Sequence, residues 1–213
     1  MKKDSSKGEQ QKNKILTVAR KLFATKGFEA TTTREINRQT DSAEGLLYYY
    51  FPHGKREILD TIIYEGIQSR INGVDFKFHE ADSLANIEAQ LLHAFNQIWQ
   101  IFSKQDNYYS FMITIRERML LSDEQVKWLL DLINKVKQLL VDFLMTATKK
   151  LQLDQTAIPQ LVGIIMSLFQ SIIYRELLIN NNQKLTEQIS TSISEQLHLL
   201  VTSVLAVNGG YKM

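Results

Sequence analysis

Residues 31–59 read TTTREINRQTDSAEGLLYYYFPHGKREIL, and the interruptions in this stretch set the architecture of the N-terminal part. Thr31, Thr32 and Thr33 stand where a helix can begin. A hydroxyl at the N-cap accepts a free backbone N–H of the first turn, and Glu35 is placed to answer Thr32 in a capping box. The helix so opened is short, about Thr33 to Gln39, with Ile36 its only strong apolar anchor. Thr40-Asp41-Ser42 reads as a turn with a new cap, a third helix covers about Ala43 to Tyr50, and Pro52-His53-Gly54 breaks it. Upstream, residues 10–26 place Ile15, Leu16, Val18, Ala19, Leu22 and Phe23 at amphipathic helical spacing, and Gly27 stops the pattern. Three short helices in about fifty residues, with a tight turn between the second and third, describe a helix-turn-helix unit.

The third helix adds chemistry to the geometry. Leu47 and Phe51, four apart, anchor it, whereas Tyr48, Tyr49 and Tyr50 cannot all point inward. Phenols projecting beside Arg34, Arg38 and Lys55 make a surface that can bond phosphates and pack on sugars or bases. The candidate DNA contacts begin with Thr32, Thr33 and Arg34, where free N–H groups and the helix dipole favour a phosphate. They continue with Ser42, Ala43, Glu44 and Leu46 on the exposed edge of the third helix, then Tyr48, Tyr49 and Tyr50. Lys55 opens the next helix, a position the dipole disfavours for a cation and an anionic partner would explain. Glu44 can accept from a cytosine amino group and Leu46 can meet a thymine methyl. The threonines can equally be caps alone, and Glu44 can equally only stabilise its helix N-terminus.

Charge is distributed to match. The chain of 213 residues has a net charge of +2, but residues 1–56 hold twelve Lys/Arg against six Asp/Glu, and residues 57–213 hold thirteen against seventeen. A basic N-terminal module with an anionic partner on a larger body without one is the expected organisation. With 44% hydrophobic residues the chain is globular, and nine glycines and two prolines leave too few turns for an all-β fold. Zero cysteine excludes thiolate metal sites and a cysteine nucleophile. The basic start has no apolar stretch behind it to act as a secretory signal. The uncharged run Gln155 to Tyr174 has membrane-spanning length, yet its Pro159, Gln160, Ser167, Gln170 and Ser171 argue for a doubly buried helix. A cytoplasmic protein without membrane association is expected. The histidines lack the spacing of a helical metal pair, and no nucleophile elbow or phosphate-cradling loop occurs, so neither enzyme activity, metal nor cofactor is expected.

The rest reads as helices, with Gly73 to His79, the least periodic stretch, as a loop: about Lys55 to Ile71, Ser83 to Ser103, Tyr108 to Leu121, Asp123 to Lys150, Asp154 to near Asn180-Asn181-Asn182, and Lys184 to Val207, closed by Gly209-Gly210. The inner face of the long helix includes Val126, Leu129, Leu130, Ile133, Val136, Leu140, Phe143 and Leu144. The segment Tyr108 to Leu121 is apolar on every face yet carries Arg116, Glu117 and Arg118. These pair with each other or their neighbours, or else line an effector pocket with Trp99, Phe102, Tyr109, Met112, Phe143, Met145 and Phe169. In the last two helices Leu161, Ile165, Leu168 and Ile172 form one apolar stripe, and Ile193, Leu197, Leu200 and Val204 belong to another. Paired between protomers, these helices would make a four-helix interface on a twofold axis.

The segment from about residue 10 to 65 resembles the DNA-binding part of the TetR family of one-component transcriptional regulators. The resemblance rests on the first helix ending near Lys26-Gly27-Phe28, on Thr-Thr-x-x-x-Ile in the second, and on small Gly45 in the third. Leu-Tyr-Tyr-Tyr-Phe at 47–51 and Gly-Lys-x-x-Ile-Leu at 54–59 complete it. Two positions depart from the family's habit: Glu44 stands where a basic or polar residue is common, and Leu46 where threonine is. The resemblance implies an all-α fold in three parts: a flexible basic arm (1–9), a helix-turn-helix head (10–54), and a helical effector-binding and dimerisation body (55–213). It implies phosphate and groove contacts for Tyr48 and Tyr49, a homodimer on a palindromic double-stranded operator, and usually repression relieved by a small-molecule effector. The alternative is a helical ligand-binding or scaffold protein that has lost operator recognition through Glu44 and Leu46.

Overall fold

The computed structural model describes residues 2–206, and of these the side chains of 7–43 and 45–205. Every regular element among the described residues is helical, and the chain divides into two compact units. The compact unit that contains residues 10–54 also takes in residues 55–70 and 104–129.

In the first unit α1 (Lys2–Lys26) begins well ahead of the amphipathic stripe, so residues 2–9, expected as a flexible arm, are helical. Gly27 then turns the chain at φ +96°, a conformation open to glycine. α2 (Thr33–Thr40) and α3 (Glu44–Tyr50) follow, separated by Asp41 in the left-handed region. α4 (Lys55–Gly73) contributes Ile58, Leu59, Ile62 and Ile63 to a core shared with Ile15, Ala19 and Phe23 of α1, Ile36 of α2, and Leu47 and Phe51. α6 (Gln105–Arg116) packs along α1 and reaches α4 at Gly66, where an added Cβ would lie 2.4 Å from Ser110 Cβ. Two buried arginines brace this packing. Arg20 of α1 bonds Glu65 of α4 at 2.9 Å and Asp106 of α6 at 3.2 Å. Arg70, 1% exposed, donates to the Asn107 carbonyl at 3.3 Å, and burial lowers its pKa to about 10.

The second unit holds α5 (Leu84–Ser103), α7 (Asp123–Lys150) from residue 130 on, α8 (Ile158–Ile173) and α9 (Glu187–Val201). Phe95 meets Phe169 edge-on at 5.1 Å, and Phe78, from the irregular segment before α5, stacks on Phe143 at 4.2 Å. α8 continues as a π-helical stretch, Tyr174–Ile179, and α9 as Thr202–Ala206. Val207, Gly209 and Gly210, expected to close the last helix, lie outside the described residues.

Three expectations need correction. The helix containing Tyr108 stops at Arg116, and a short 3₁₀ turn, Arg118–Leu120, replaces its last part. Val126, Leu130 and Ile133 are exposed, because the inward side of α7 is Leu132, Val136, Leu140, Phe143, Leu144 and Ala147. A helix with apolar residues on more than one side does not announce which side a neighbour will cover. The stretch Ile158–Ile179 is long and apolar enough to cross a bilayer by length and composition. It is not doubly buried: Leu161, Val162, Ile165 and Phe169 enter the core, while Ile164 and Tyr174 are exposed.

Candidate nucleic-acid interface

The interface is built on how α2, the turn after it and α3 are held from behind. Thr32 caps α2, its hydroxyl accepting the Glu35 N–H at 3.2 Å. The Glu35 carboxylate is taken by Lys26 rather than returning to Thr32. Thr33 is half-buried, and Thr32, Arg34, Glu35 and Arg38 line a shallow open recess at the start of α2. Arg38, named from sequence only as a neighbour of the phenols, therefore belongs to the same surface.

The turn is tied to α1. Lys14 Nζ donates to the Thr40 carbonyl at 2.8 Å and Gln11 Nε2 donates to Ser42 Oγ at 2.6 Å. Ser42 does not cap α3; Ala43 holds that position, exposed and without a side-chain bond. The Glu44 side chain lies outside the described residues. On the outer side of α3, Gly45 is open, with nothing within 4 Å of where a Cβ would sit, and Leu46 is half-exposed. Tyr48 is 50% and Tyr49 76% exposed, while Leu47 and Phe51 are sunk in the core. Tyr50 is half-buried, packing edge-on against Tyr49 at 5.1 Å and approaching Gly8 of α1. Gly54, at φ +62°, leaves room for the Tyr48 ring, which a Cβ would meet at 3.1 Å.

Lys55 is engaged within the protein. Its ammonium donates to the Phe28 carbonyl at 2.8 Å and lies 4.3 Å above the Phe28 ring, joining the start of α4 to the α1–α2 link. Gln11, Lys14 and Gly8 were missed in the sequence. The one available signal was that Gln11 precedes Ile15 by one turn on the core-facing stripe of α1.

The residues expected around an effector pocket are distributed over both units. Trp99, Phe143 and Phe169 are core side chains of the second; Phe102 is half-buried and Met145 exposed. Tyr109 and Met112 are half-buried on α6. Arg116 and Glu117 serve the head: Arg116 Nη2 donates to the Lys26 carbonyl at 3.3 Å and Glu117 Oε1 accepts the Phe28 N–H at 3.1 Å. The interface list also needs correction. Leu161, Ile165, Ile172, Ile193 and Leu197 are buried in the protomer's own core and have no area left for a partner. Leu168, Leu200 and Val204 remain half-exposed, beside exposed Ile164 and Leu199.

Residues 15–62, which run from within α1 through α2 and α3 into α4, match the family described as bacterial regulatory proteins, tetR family. The match covers the helix-turn-helix part of the chain. Over 63 residues it is 35% identical to the helix-turn-helix-type transcriptional regulator YxaF of Bacillus subtilis, covering 29% of this chain and 32% of YxaF. Over 51 residues it is 43% identical to the helix-turn-helix-type transcriptional regulator QacR of Staphylococcus aureus, covering 24% of this chain and 27% of QacR. The matched stretch thus spans about a third or less of either curated relative. Beyond it the likeness is one of fold. A bacterial regulatory protein of the tetR family from Rhodococcus RHA1 superposes with a TM-score of 0.63 at 21% identity, covering 91% of this chain and 96% of that one.

Proposed function

We propose that this protein is a DNA-binding transcriptional regulator, a repressor that acts as a homodimer on a palindromic operator and is released by a small-molecule effector. The observation that carries the reading is the two-sided build of α3. Leu47 and Phe51 fix the helix from within, and Tyr48, Tyr49, Leu46 and the bare backbone at Gly45 face outward beside the Arg34 and Arg38 recess. Such a surface suits a major groove, with phenols and arginines on phosphates and the α3 edge against bases. The printed descriptions of YxaF and QacR as transcriptional regulators agree with it.

In this reading residues 10–54 are the head and 55–213 the body, the protein is cytoplasmic, and it works by binding rather than turnover. Dimerisation uses the apolar residues that α8 and α9 leave outside the core, Ile164, Leu168, Leu199, Leu200 and Val204. An effector bound in the body weakens operator binding by its differential affinity for the two states, and the operator weakens effector binding by the same factor. Selection of bound fragments from the source genome, followed by gel shift, tests the function. Inverted repeats with half-site centres about 34–36 Å apart, or a multiple of that, are expected. A protein that enriches no sequence over bulk genomic DNA would remove the regulator reading.

A further inference from the structure

The hydroxyl of Ser42 has most of its hydrogen-bonding capacity used inside the protein, and what remains decides what it can read. Gln11 Nε2 donates to Ser42 Oγ at 2.6 Å, and Thr40 Oγ1 lies 2.8 Å away on α2. Thr40 is 1% exposed, with its own hydroxyl 3.0 Å from the Ile36 carbonyl and 3.2 Å from that of Asn37. Carbonyl oxygens only accept, so the Thr40 proton goes to them and Thr40 offers Ser42 a lone pair. The relay therefore runs one way: Gln11 N–H to Ser42, Ser42 O–H to Thr40, Thr40 O–H to the α2 carbonyls. Turning the Gln11 amide over does not free the Ser42 proton, because an amide oxygen at that distance would itself require it. The Ser42 backbone N–H is also committed, to the Asn37 carbonyl at 3.0 Å.

Ser42 is left with one lone pair and no hydrogen for an outside partner. Phosphate oxygens are acceptors, as are N7 and O6 of guanine, N7 of adenine and O4 of thymine. The donors in the major groove are the amino groups of cytosine N4 and adenine N6. We infer that Ser42 is a specificity-determining residue that accepts a hydrogen bond from a base amino group, cytosine N4 or adenine N6, at one base pair of each half-site. Gln11 is the positioning residue that aims it. The inference rests on the DNA-binding reading above and adds to it a chemical preference that the residue type alone does not carry, since a free serine hydroxyl would serve phosphates equally well.

The test starts from duplexes that the wild-type protein selects from a random library. Each base pair of the selected half-site is then replaced in turn, and affinities are measured by fluorescence anisotropy at one salt concentration for wild type, Ser42→Ala and Gln11→Leu, with melting temperatures alongside. In wild type, one cytosine or adenine should be replaceable only at a loss of roughly 5- to 150-fold. Removing its amino group alone, with 2-pyrimidinone for cytosine or purine for adenine, should reproduce that loss and show which base is read. Ser42→Ala should erase the penalty at that position and keep the penalties elsewhere, and Gln11→Leu should reduce it without a fall in melting temperature large enough to unfold the head. A Ser42→Ala protein that loses affinity by the same factor for every sequence, or for none, would overturn the inference. Wild-type protein that selects no sequence would overturn it together with the DNA-binding reading, and that result is seen before any variant is made.

Discussion

Glu117 Oε1 accepts the backbone N–H of Phe28 at 3.1 Å, across 89 residues of sequence. Phe28 lies in the link between α1 and α2, and the same link receives Arg116 at the Lys26 carbonyl and Lys55 at the Phe28 carbonyl. Three side chains from outside the first three helices therefore fix the entry to the helix-turn-helix. Glu117 is largely buried, so removing its carboxylate leaves a backbone donor without its partner. Glu117→Ala should cost about 1–3 kcal/mol in urea unfolding, and Glu117→Gln, which keeps an acceptor, clearly less. Equal losses would show that packing rather than the bond matters there.

Lys55 and Tyr49 should separate by assay. The Lys55 ammonium is bonded within the protein, whereas Tyr49 stands 76% exposed. Lys55→Ala should lower stability by about 1–2 kcal/mol and weaken all DNA sequences alike. Tyr49→Ala should leave stability within about 0.5 kcal/mol of wild type while weakening DNA. A Lys55→Ala protein of unchanged melting temperature, with a shallower dependence of affinity on salt, would place its ammonium on a phosphate instead.

Neighbouring positions on α8 and α9 should respond in opposite ways to the same charge. Ile164 is 47% and Leu199 63% exposed, while Ile165 and Leu197 are fully buried. Ile164→Asp with Leu199→Asp should give a folded monomer by sedimentation at micromolar concentration. Ile165→Asp or Leu197→Asp should cost more than about 4 kcal/mol, a large fraction of a typical domain's stability. A double variant that sediments as wild type would move the interface elsewhere.

Acid should loosen the end of α8. Glu176 accepts from Arg175 Nε at 2.9 Å and Asn180 Nδ2 at 3.1 Å, and these bonds hold its carboxyl below the ordinary value of 4.5. The folded state then binds this proton less readily than the unfolded chain, so the carboxylate's contribution is complete at neutral pH. It declines as pH falls below the ordinary value and is lost once pH passes the lowered one. Melting temperature plotted against pH should have a shallower acid limb in Glu176→Gln than in wild type. Parallel limbs would mean that other carboxylates govern acid unfolding.

The sequence by itself determined the head. Its apolar stripe at 15, 19 and 23, the cap at Thr32, the anchors Leu47 and Phe51 and the breaks at Gly27 and Gly54 act within a turn or two of chain, where local sterics and capping decide conformation. That α3 must show tyrosines to solvent followed from the same short-range geometry, because three consecutive side chains cannot share one side of a helix. Tertiary structure decided everything that depends on which helix covers which. It sent Arg116 and Glu117 to the α1–α2 link, put Leu161, Ile165, Ile172, Ile193 and Leu197 in the core of one protomer, and left Val126, Leu130 and Ile133 outside it. Helices that are apolar on several sides specify burial without specifying a partner, since hydrophobic contact has no direction of its own. It also decided the surroundings of the Ser42 hydroxyl, which accepts from Gln11 and lies 2.8 Å from the Thr40 hydroxyl, residues that only the folded chain brings to one point.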